Sequence, residues 1–479
     1  MTAPVYRWAC TVVVTKMVHR GGDGVATRFT EADRTIDLTP LLGDGGSVST
    51  TKSLGGEPCG AFSIVFGDQC EESAKDTVYA RVEAMDLVEI RASREPHKYA
   101  GQDLPLIMRG FVSRVRRPES MGADGSPTRS VVITGHDSGK MWKIHQIWQE
   151  LAVVTEQPVL TVFGLHALLG LDVAVVDIEK FMLDFMEKVV NPKVEALAAY
   201  SQQTVKPFIA ELSVTEGRLV PAVIDVLGGG SYWSIVSSVC DAPWNELFVR
   251  DEEDGPHFVH RPAPYYGVDG KLILEGATDP GEYMIPDTQV VYNDQSRGDS
   301  NVANFYWVPP GTSALDTNGL VTSGALVDGS ALDFQHGNNK PELYGERKME
   351  ANSVLIPDTS DGNTANLPIG DRPAENDKRI SWYRHRSQQL QAMNRDNSVF
   401  EDGSLTVMGR EDLVIGKYAR LVRGDLECKA YVVAVSHQFQ PFGNWTTSLS
   451  TERGTGFLER LKLTGSPYYL EGRKGPFST

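Results

Sequence analysis

Residues 403–454 contain the strongest β-strand signal of the chain and read GSLTVMGREDLVIGKYARLVRGDLECKAYVVAVSHQFQPFGNWTTSLSTERG. Runs rich in β-branched and aromatic residues predict three strands here, at Val414–Val422, Ala430–Gln440 and Trp445–Thr451. Turn sequences at Gly409–Asp412 and Phe442–Asn444 separate these runs. The stretch therefore predicts consecutive strands connected by turns.

The first 145 residues have the same β character. Six strand-like runs follow one another, separated by polar and Gly-containing turns, at Tyr6–Val18, Arg34–Leu38, Ala61–Phe66, Val88–Ser93, Leu106–Val115 and Arg129–Asp137. Several short strands with turn signals between them favour a barrel or a sandwich.

Helical patterns follow this β region. Asp137–Ser138 is a candidate cap for a helix over Lys140–Gln149. In Asp177–Val190 the apolar residues recur at helical spacing, which predicts a helix whose apolar stripe packs into a core. We expect Pro192 to end this helix and Lys193–Tyr200 to form another short one.

The second half of the chain alternates between small α/β patterns and polar segments. The predicted elements are a helix at Ser231–Asp241 and a hairpin made of Leu247–Arg250 and His257–Arg261. A further strand is predicted at Val302–Val308 and a last helix at Ile380–Met393. Residues 313–397 form a long polar excursion, and an excursion of this length predicts either structure of its own or a binding role.

Composition narrows the class of protein. The 479 residues carry a formal net charge of −17, which argues against specific nucleic-acid binding because such binding needs clustered Lys and Arg. No apolar run is long enough to span a membrane, and the N-terminus does not read as a signal peptide. The five cysteines contain no CxxC pair and are interpreted as small buried apolar residues, although Cys59 and Cys70 could pair.

Motifs that would indicate catalysis are missing from the sequence. It contains no GxSxG, no HExxH, no P-loop and no dinucleotide fingerprint. Asp241 and Glu246 flank Pro243–Trp244, a pattern also compatible with the carboxylate pair of a glycosidase. The favoured interpretation is a helix cap and a charge at the start of a strand.

Three further candidates are also interpreted as structural. His257 and His260 are three residues apart on a predicted strand and therefore face opposite sides. His136–Asp137 reads as a turn into a helix, and Asp251–Gly255 lacks the spaced ligands of a calcium loop. We therefore predict no catalytic residue, no cofactor-binding residue, no metal ligand and no cofactor.

The order of features in residues 403–454 resembles the second barrel of the central hub protein of contractile phage-tail baseplates, the late-control-D or hub-type family. The residues that carry the resemblance are Gly409, Leu413, Ile415, Gly416, Tyr431, Val432, Val435, Ser436, His437, Phe439, Phe442, Gly443, Trp445, Thr447, Leu449, Arg453 and Gly454. A second resembling stretch runs from Trp233 to Pro264. The first barrel of such hubs is resembled at Arg109, Gly110, Val112, Val115, Val132, Thr134, Gly135, Asp137 and Lys140.

The resemblance implies a mainly β fold with α+β insertions, built around two similar antiparallel β-barrel (tube) domains. The implied divisions are a first barrel (1–145), a helical segment (146–215) and a small α/β domain with a hairpin (216–280). They continue with a discontinuous second barrel (281–312 and 398–456), an insertion with one helix (313–397) and a C-terminal tail (457–479).

The function implied by the resemblance is that of a structural virion protein without enzymatic activity. Three copies would form a pseudo-six-fold ring that joins the hexameric tail tube to the trimeric central spike and lines the DNA channel. The implied partners are further copies of the chain, the tube protein, the spike, other baseplate (wedge) proteins and the tape measure protein. The implied location is the tail baseplate of the virion, assembled in the host cytoplasm, and the net charge predicts carboxylates along the channel.

Three alternatives stay open. A hub-spike protein of a contractile secretion or injection system would normally continue into a repeat-rich needle. A tail-associated peptidoglycan hydrolase would use a carboxylate such as Glu246. A carbohydrate-binding β protein of a tail fibre would bind glycans as an isolated chain.

Overall fold

Fourteen strands of the chain join into one continuous, mostly antiparallel sheet, and four smaller sheets accompany it. The structure is a computed structural model that describes residues 7–17, 34–43, 45–68, 77–121, 125, 127–147, 178–201, 203–213, 219–221, 230–309, 337–357, 372–424, 426–441 and 443–456. The predicted C-terminal tail, 457–479, lies outside these residues, as do large parts of the predicted helical segment and of the excursion.

The strands are numbered in chain order. The N-terminal strands are β1 Ala9–Thr15, β2 Thr35–Asp37, β3 Ser47–Ser53, β4 Ala61–Gly67, β5 Leu87–Ser93, β6 Leu106–Arg116, β7 Glu119–Met121 and β8 Pro127–Asp137. The middle strands are β9 Gln146–Ile147, β10 Ile209–Leu212, β11 Leu219–Pro221, β12 Gly230–Ser231, β13 Asn245–Asp251 and β14 Pro256–Pro262. The remaining strands are β15 Glu282–Pro286, β16 Val290–Ser296, β17 Phe305–Trp307, β18 Lys348–Glu350, β19 Leu355–Pro357, β20 Glu401–Met408, β21 Tyr418–Arg423, β22 Leu426–Phe439 and β23 Trp445–Gly454.

The helices are short, with one exception at the C-terminal side. They are α1 Val78–Arg81, α2 Lys140–Ile144, α3 Ile178–Phe185, α4 Asn191–Ser201, α5 Tyr232–Ser238, α6 Pro341–Tyr344 and α7 Arg372–Asn394. Among the described residues, no helix is both long and apolar enough to cross a bilayer.

The N-terminal half of the large sheet surrounds its own core. Alternate residues of β1 point inward, so Val12 and Val14 are fully buried while their neighbours are half exposed. Residues of β2 to β6 and of β8 meet them in one cluster that includes Ile64, Val88 and Ile133. Burial of one face of each strand, rather than the propensity of any single strand, therefore holds this half together.

The C-terminal half surrounds a second core. Leu405, Val407, Val435 and Leu449 come from three different strands and pack in one buried cluster. Phe248 of the β13–β14 hairpin joins the same cluster, so the hairpin closes one side of this half. The fold is thus mainly β with two sheet-built cores, as the sequence predicts.

Pro192 does not end the helical segment, so that prediction is wrong. Residues Met186–Val190 form a π-helical turn, and α4 begins immediately after it at Asn191. The turn interrupts the regular hydrogen-bond ladder, and Pro192 then lies in the first turn of a new helix. Its missing N–H costs nothing at that position.

Several predicted boundaries are also wrong. The helix expected to reach Gln149 ends at Ile144, and β9 then pairs with β12. The strand expected from Val414 begins at Tyr418, because Gly416 adopts a positive φ of 77° in a turn before it. Strand β3 was not predicted, since its sequence SVSTTKS has one large apolar residue, Val48.

Candidate assembly interface

The two halves of the large sheet have the same strand order. Six strands of the N-terminal half, β1, β3, β4, β5, β6 and β8, lie in the spatial order β3-β4-β8-β6-β5-β1. Six strands of the C-terminal half, β15, β16, β20, β21, β22 and β23, lie in the order β16-β20-β23-β22-β21-β15. Numbered from one to six within each half, both orders read 2-3-6-5-4-1. The halves differ at one junction, since β1 and β5 are antiparallel whereas β15 and β21 are parallel.

A seam between β22 and β3 joins the two halves edge to edge. The pairing is antiparallel and runs from Ala434 opposite Ser53 to Phe439 opposite Val48. A hydrogen bond from the Leu54 N–H to the Val433 carbonyl, 2.7 Å long, extends the pairing. Strand β22 is long enough to pair with β21 through its first residues and with β3 through its last, so one strand edge serves both halves.

Aromatic side chains fill the core beneath the seam. Phe439 and Trp445 belong to the C-terminal strands but are buried in the core of the N-terminal half. Their ring centroids are 4.9 Å apart, and Trp8 packs against both, at 5.9 Å from Phe439 and 6.3 Å from Trp445. His437 lies beside them and shares a 3.0 Å hydrogen bond with Thr447. The seam is therefore backed by buried apolar area as well as by backbone pairing.

The opposite face of the seam carries hydroxyl groups. Cross-strand partners on this face, from β20 across β23, β22, β3 and β4 to β8, are small and mostly Ser or Thr: Ser404, Thr406, Ser448, Ser450, Ala434, Ser436, Ser49, Thr51, Ser53, Ala61, Ser63 and Thr134. This set contains no Lys, Arg or carboxylate. These residues form a continuous strip rich in hydroxyl groups that spans both halves. Gln438 and His136 lie on the same face, Asp402 lies at its β20 end, and Arg114 of β6 follows Thr134.

The strand edges that have no partner in the described part of the chain include one on β16 and one on β6, both strands of the paired halves. Strand β16 pairs with β20 on one side and with no described strand on the other. The outer edge of β6 pairs with β5 as far as Phe111, and beyond Val112 no described strand lies beside it. Three large apolar side chains are exposed at these edges: Met121 on β7, and Val291 and Tyr292 on β16. Open edges with exposed apolar side chains are typical of strand-pairing surfaces.

The candidate carboxylates Asp241 and Glu246 each form an ion pair with an arginine of the chain. Asp241 is completely buried, and its Oδ2 accepts a 2.8 Å hydrogen bond from Arg386 Nη2. Its Oδ1 accepts from the backbone N–H of Val354 at 2.6 Å. Burial raises the pKa of Asp241, against the opposing charge of Arg386. The group therefore tightens the junction between α5, α7 and β19.

Glu246 connects the hairpin to the C-terminal half. Its Oε1 accepts a 2.6 Å hydrogen bond from Arg261 Nε, and the hydroxyl of Tyr431 on β22 donates to its Oε2 at 2.6 Å. Burial raises the pKa of Glu246, while Arg261 and Tyr431 oppose that rise. Both oxygens thus have partners inside the protein, as in a structural ion pair.

The remaining candidates also have partners of their own. Glu211, Glu252 and His257 present ligand atoms within 4.8 Å of one another. However, Arg250 binds both carboxylates, at 2.7 Å from Glu211 and 2.6 Å from Glu252, so a cation is already present in the cluster. Burial lowers the pKa of His257, but its hydrogen bonds with Asp254 and Glu211 outweigh burial and raise it. The arrangement is therefore an ion-pair network at the hairpin tip.

His260 and the His136–Asp137 turn lie in separate parts of the fold. His260 is fully buried, 3.4 Å from the carbonyl of Cys240, and burial lowers its pKa to about 4. Asp137 forms an ion pair with Lys52 of β3 and accepts a 3.0 Å hydrogen bond from Gly139 N–H at the start of α2. Cys70 lies outside the described residues, so its pairing with Cys59 is untested.

Sequence-based searches give no relative. No protein-family model matches the chain, and no curated protein sequence matches it. The hydroxyl face and the common strand order were missed by sequence reasoning, although the Ser/Thr alternation of β3 and β23 was a readable signal.

Solved structures similar to this chain come from phage tails and related machines. The tail protein from Neisseria meningitidis MC58 is 10% identical, with 93% of this chain and 97% of that chain covered and a TM-score of 0.45. The 43 kDa tail protein of prophage MuSo2 from Shewanella oneidensis is 10% identical, with 92% and 98% covered and a TM-score of 0.46. A component of the Escherichia coli type VI secretion system is 8% identical, with 85% and 73% covered and a TM-score of 0.35.

The fold defines a mainly β protein in which two sheets of common strand order share one seam. The solved structures to which it is similar include tail proteins and a secretion-system component.

Proposed function

We propose that this chain is the baseplate hub of a contractile tail and that three copies form a ring with pseudo-six-fold symmetry. In this role it joins the hexameric tail tube to the trimeric central spike, contacts other baseplate (wedge) proteins and surrounds the channel through which DNA leaves. It acts in the virion and is assembled in the host cytoplasm.

The observation that carries the proposal is the common strand order of the two halves across the β22–β3 seam. A trimer cannot offer six equivalent contacts to a hexamer unless each subunit supplies two similar units. Two edge-paired sheets with the same topology supply such units within one chain, so three chains can match a six-fold tube and a three-fold spike together.

The hydroxyl face gives the proposed channel a wall whose middle part, from β23 to β4, has no fixed cation, while Arg114 lies at its β6 end. Ser and Thr side chains such as Ser436 and Thr51 offer no positive charge to a phosphate backbone, so DNA would pass without being held. The carboxylates expected along the channel are not part of this set. Asp294 and Asp402 lie at the β16 end of the face instead.

The proposed role is structural rather than enzymatic. Asp241 and Glu246, the residues that best fitted a hydrolase, are each tied to an arginine within the protein. Such pairs stabilise packing, and they engage these two carboxylates inside the protein. A zymogram on peptidoglycan with the wild type and with Glu246→Gln checks this point. We expect no lysis by either, and lysis by the wild type that disappears in Glu246→Gln would establish the hydrolase alternative.

The ring itself is tested by the mass of the purified chain in solution. Sedimentation velocity and native mass spectrometry, over a range of concentrations and with or without the spike protein, should detect a trimer that binds the tube protein. A chain that stays monomeric under all these conditions contradicts the proposed hub. Electron microscopy of particles carrying a labelled chain then locates it in the baseplate.

A further inference from the structure

We propose that the outer edge of β6 and β7 in one copy pairs with β16 of the next copy, as an intermolecular repeat of the β22–β3 seam. The inference rests on the proposed ring and adds the surface, the partner strand and the register. In the seam, the fifth strand of the C-terminal half pairs with the second strand of the N-terminal half. The fifth strand of the N-terminal half is β6, and the second strand of the C-terminal half is β16.

The two fifth strands share a local irregularity that aligns them. Strand β22 has a register shift against β23 between Val432 and Ala434. Strand β6 has the same shift against β8 between Val112 and Arg114. Ala434 therefore corresponds to Arg114, and the stretch of β22 that binds β3 corresponds to the open part of β6.

The second strands align through the third strands. In the N-terminal half, Thr50 pairs with Phe62 of the third strand, and Phe62 pairs with Gly135 of the sixth. In the C-terminal half, Gln295 pairs with Gly403 of the third strand, and Gly403 pairs with Thr451 of the sixth. Gly135 and Thr451 each form the last pair before the register shift, Gly135 with Val112 and Thr451 with Val432. Thr50 therefore corresponds to Gln295, and Thr51 corresponds to Ser296. Since Ser436 lies opposite Thr51 in the seam, the intermolecular pairing places Arg116 opposite Ser296.

Charge supports this register. Arg114 and Arg116 of β6 are exposed, as are Asp294 and Ser296 of β16. With Arg116 opposite Ser296, Asp294 lies one diagonal position away on the same face, within reach of a long side chain. An arginine edge thus meets an edge that carries a carboxylate.

The apolar side chains at the two edges also match. Continued past Pro118, the same register places Met121 opposite Val291 and Ser120 opposite Tyr292. Met121 is 72% exposed, Val291 57% and Tyr292 56%. Pairing would bury all three, and it would use both open edges at once.

Cysteine cross-linking of the full chain tests the register. The variant Arg116→Cys/Ser296→Cys places two thiols directly opposite each other, at a spacing that a disulfide can bridge. We expect mild oxidation to convert most of it into covalent dimers and trimers on a non-reducing gel. The matched control is Arg116→Cys/Asn293→Cys, in which the second position is also exposed and within β16 but lies on the other face of the strand. It should cross-link at least tenfold less, as should the wild type with its native cysteines.

The outcomes separate the pairing from the ring. A trimer in solution without preferential cross-linking of Arg116→Cys/Ser296→Cys overturns the strand pairing and leaves the ring standing. A monomer at every concentration, with or without the spike, overturns both. All substituted side chains are exposed and none is in a core, so circular dichroism should show the variants folded. As a second measurement, Asp294→Arg and Arg116→Asp should each weaken the trimer, and the double exchange should restore it.

Discussion

Phe439 of β22 lies directly opposite Val48 of β3, and both side chains are buried in the core of the N-terminal half. The pair stands at the end of the seam where the two halves meet. The core of one half is therefore completed by a residue of the other, so packing as well as strand pairing connects the two halves of the sheet.

Phe439→Ala should loosen the seam. Removing a buried phenyl ring costs about 3–5 kcal/mol of unfolding free energy through lost burial and the cavity that remains. Denaturant unfolding of the purified chain measures the loss, and hydrogen exchange should show faster exchange of the β3 amides. Phe66→Ala, in the same core but away from the seam, is the matched control and should not accelerate β3 exchange selectively. A loss below about 1 kcal/mol would contradict the packing role.

Arg386→Ala should destabilise the chain because it leaves the Asp241 carboxylate buried without its cation. Arg386 is 1% exposed, and its guanidinium lies 5.0 Å from the Trp244 ring and 4.3 Å from the Trp382 ring. Breaking such a pair from one side typically costs about 3–5 kcal/mol. The double variant Asp241→Asn/Arg386→Met should recover most of the loss, as measured by thermal unfolding. Equal losses in the single and double variants would show that the charge of Asp241 is not the cause.

Acid should weaken the fold through His437. Burial lowers its pKa to about 4, whereas the unfolded chain has a value of about 6.5. Between these values the unfolded state binds a proton that the folded state does not. The free energy of unfolding therefore falls as the pH falls from about 6.5 to about 4, by up to roughly 3 kcal/mol for this group. His260 contributes in the same direction.

His437→Asn should reduce this pH dependence. An amide retains a partner for Thr447 and does not titrate. Unfolding free energies measured at several pH values between 4 and 7 should have a smaller slope than in the wild type. Gln438→Asn is the control, since Gln438 is the exposed neighbour of His437 on β22 and has no titratable group, so the slope should stay unchanged. An unchanged slope in His437→Asn would refute the assignment.

Gly409→Ala should strain the end of β20. A Cβ atom at this position would lie 2.0 Å from Cδ2 of Trp445, so the indole ring or the backbone must move. Overpacking of this kind costs about 1–3 kcal/mol. Gly67→Ala is the control, because nothing lies within 4 Å of its Cβ position. Thermal unfolding should separate the two variants, and equal melting temperatures would exclude the clash.

The elements with a strong local pattern were predictable from the sequence. Strands β4, β5, β22 and β23 carry alternating or β-branched runs, and α5 carries a serine cap at Ser231 that accepts a hydrogen bond from Ser234 N–H. Strand β3 was missed because its stability comes from its neighbours on both edges, β4 and β22, and not from its own residues. Pro192 was misread because a π-turn resets the helix before it.

The sequence by itself determined the β character of both ends of the chain, the apolar faces of the principal strands and the resemblance to tail hubs, because these depend on residues close together in the chain. Only the tertiary structure decided the common strand order, the seam between β22 and β3, the hydroxyl face and the two open edges. Strand order follows from pairings between residues hundreds of positions apart, such as Ser53 and Ala434. No local sequence pattern encodes which two strand edges will pair. The sequence also suggested Asp241 and Glu246 as a carboxylate pair because they are close along the chain. In the structure, Asp241 forms an ion pair with Arg386 and Glu246 forms one with Arg261.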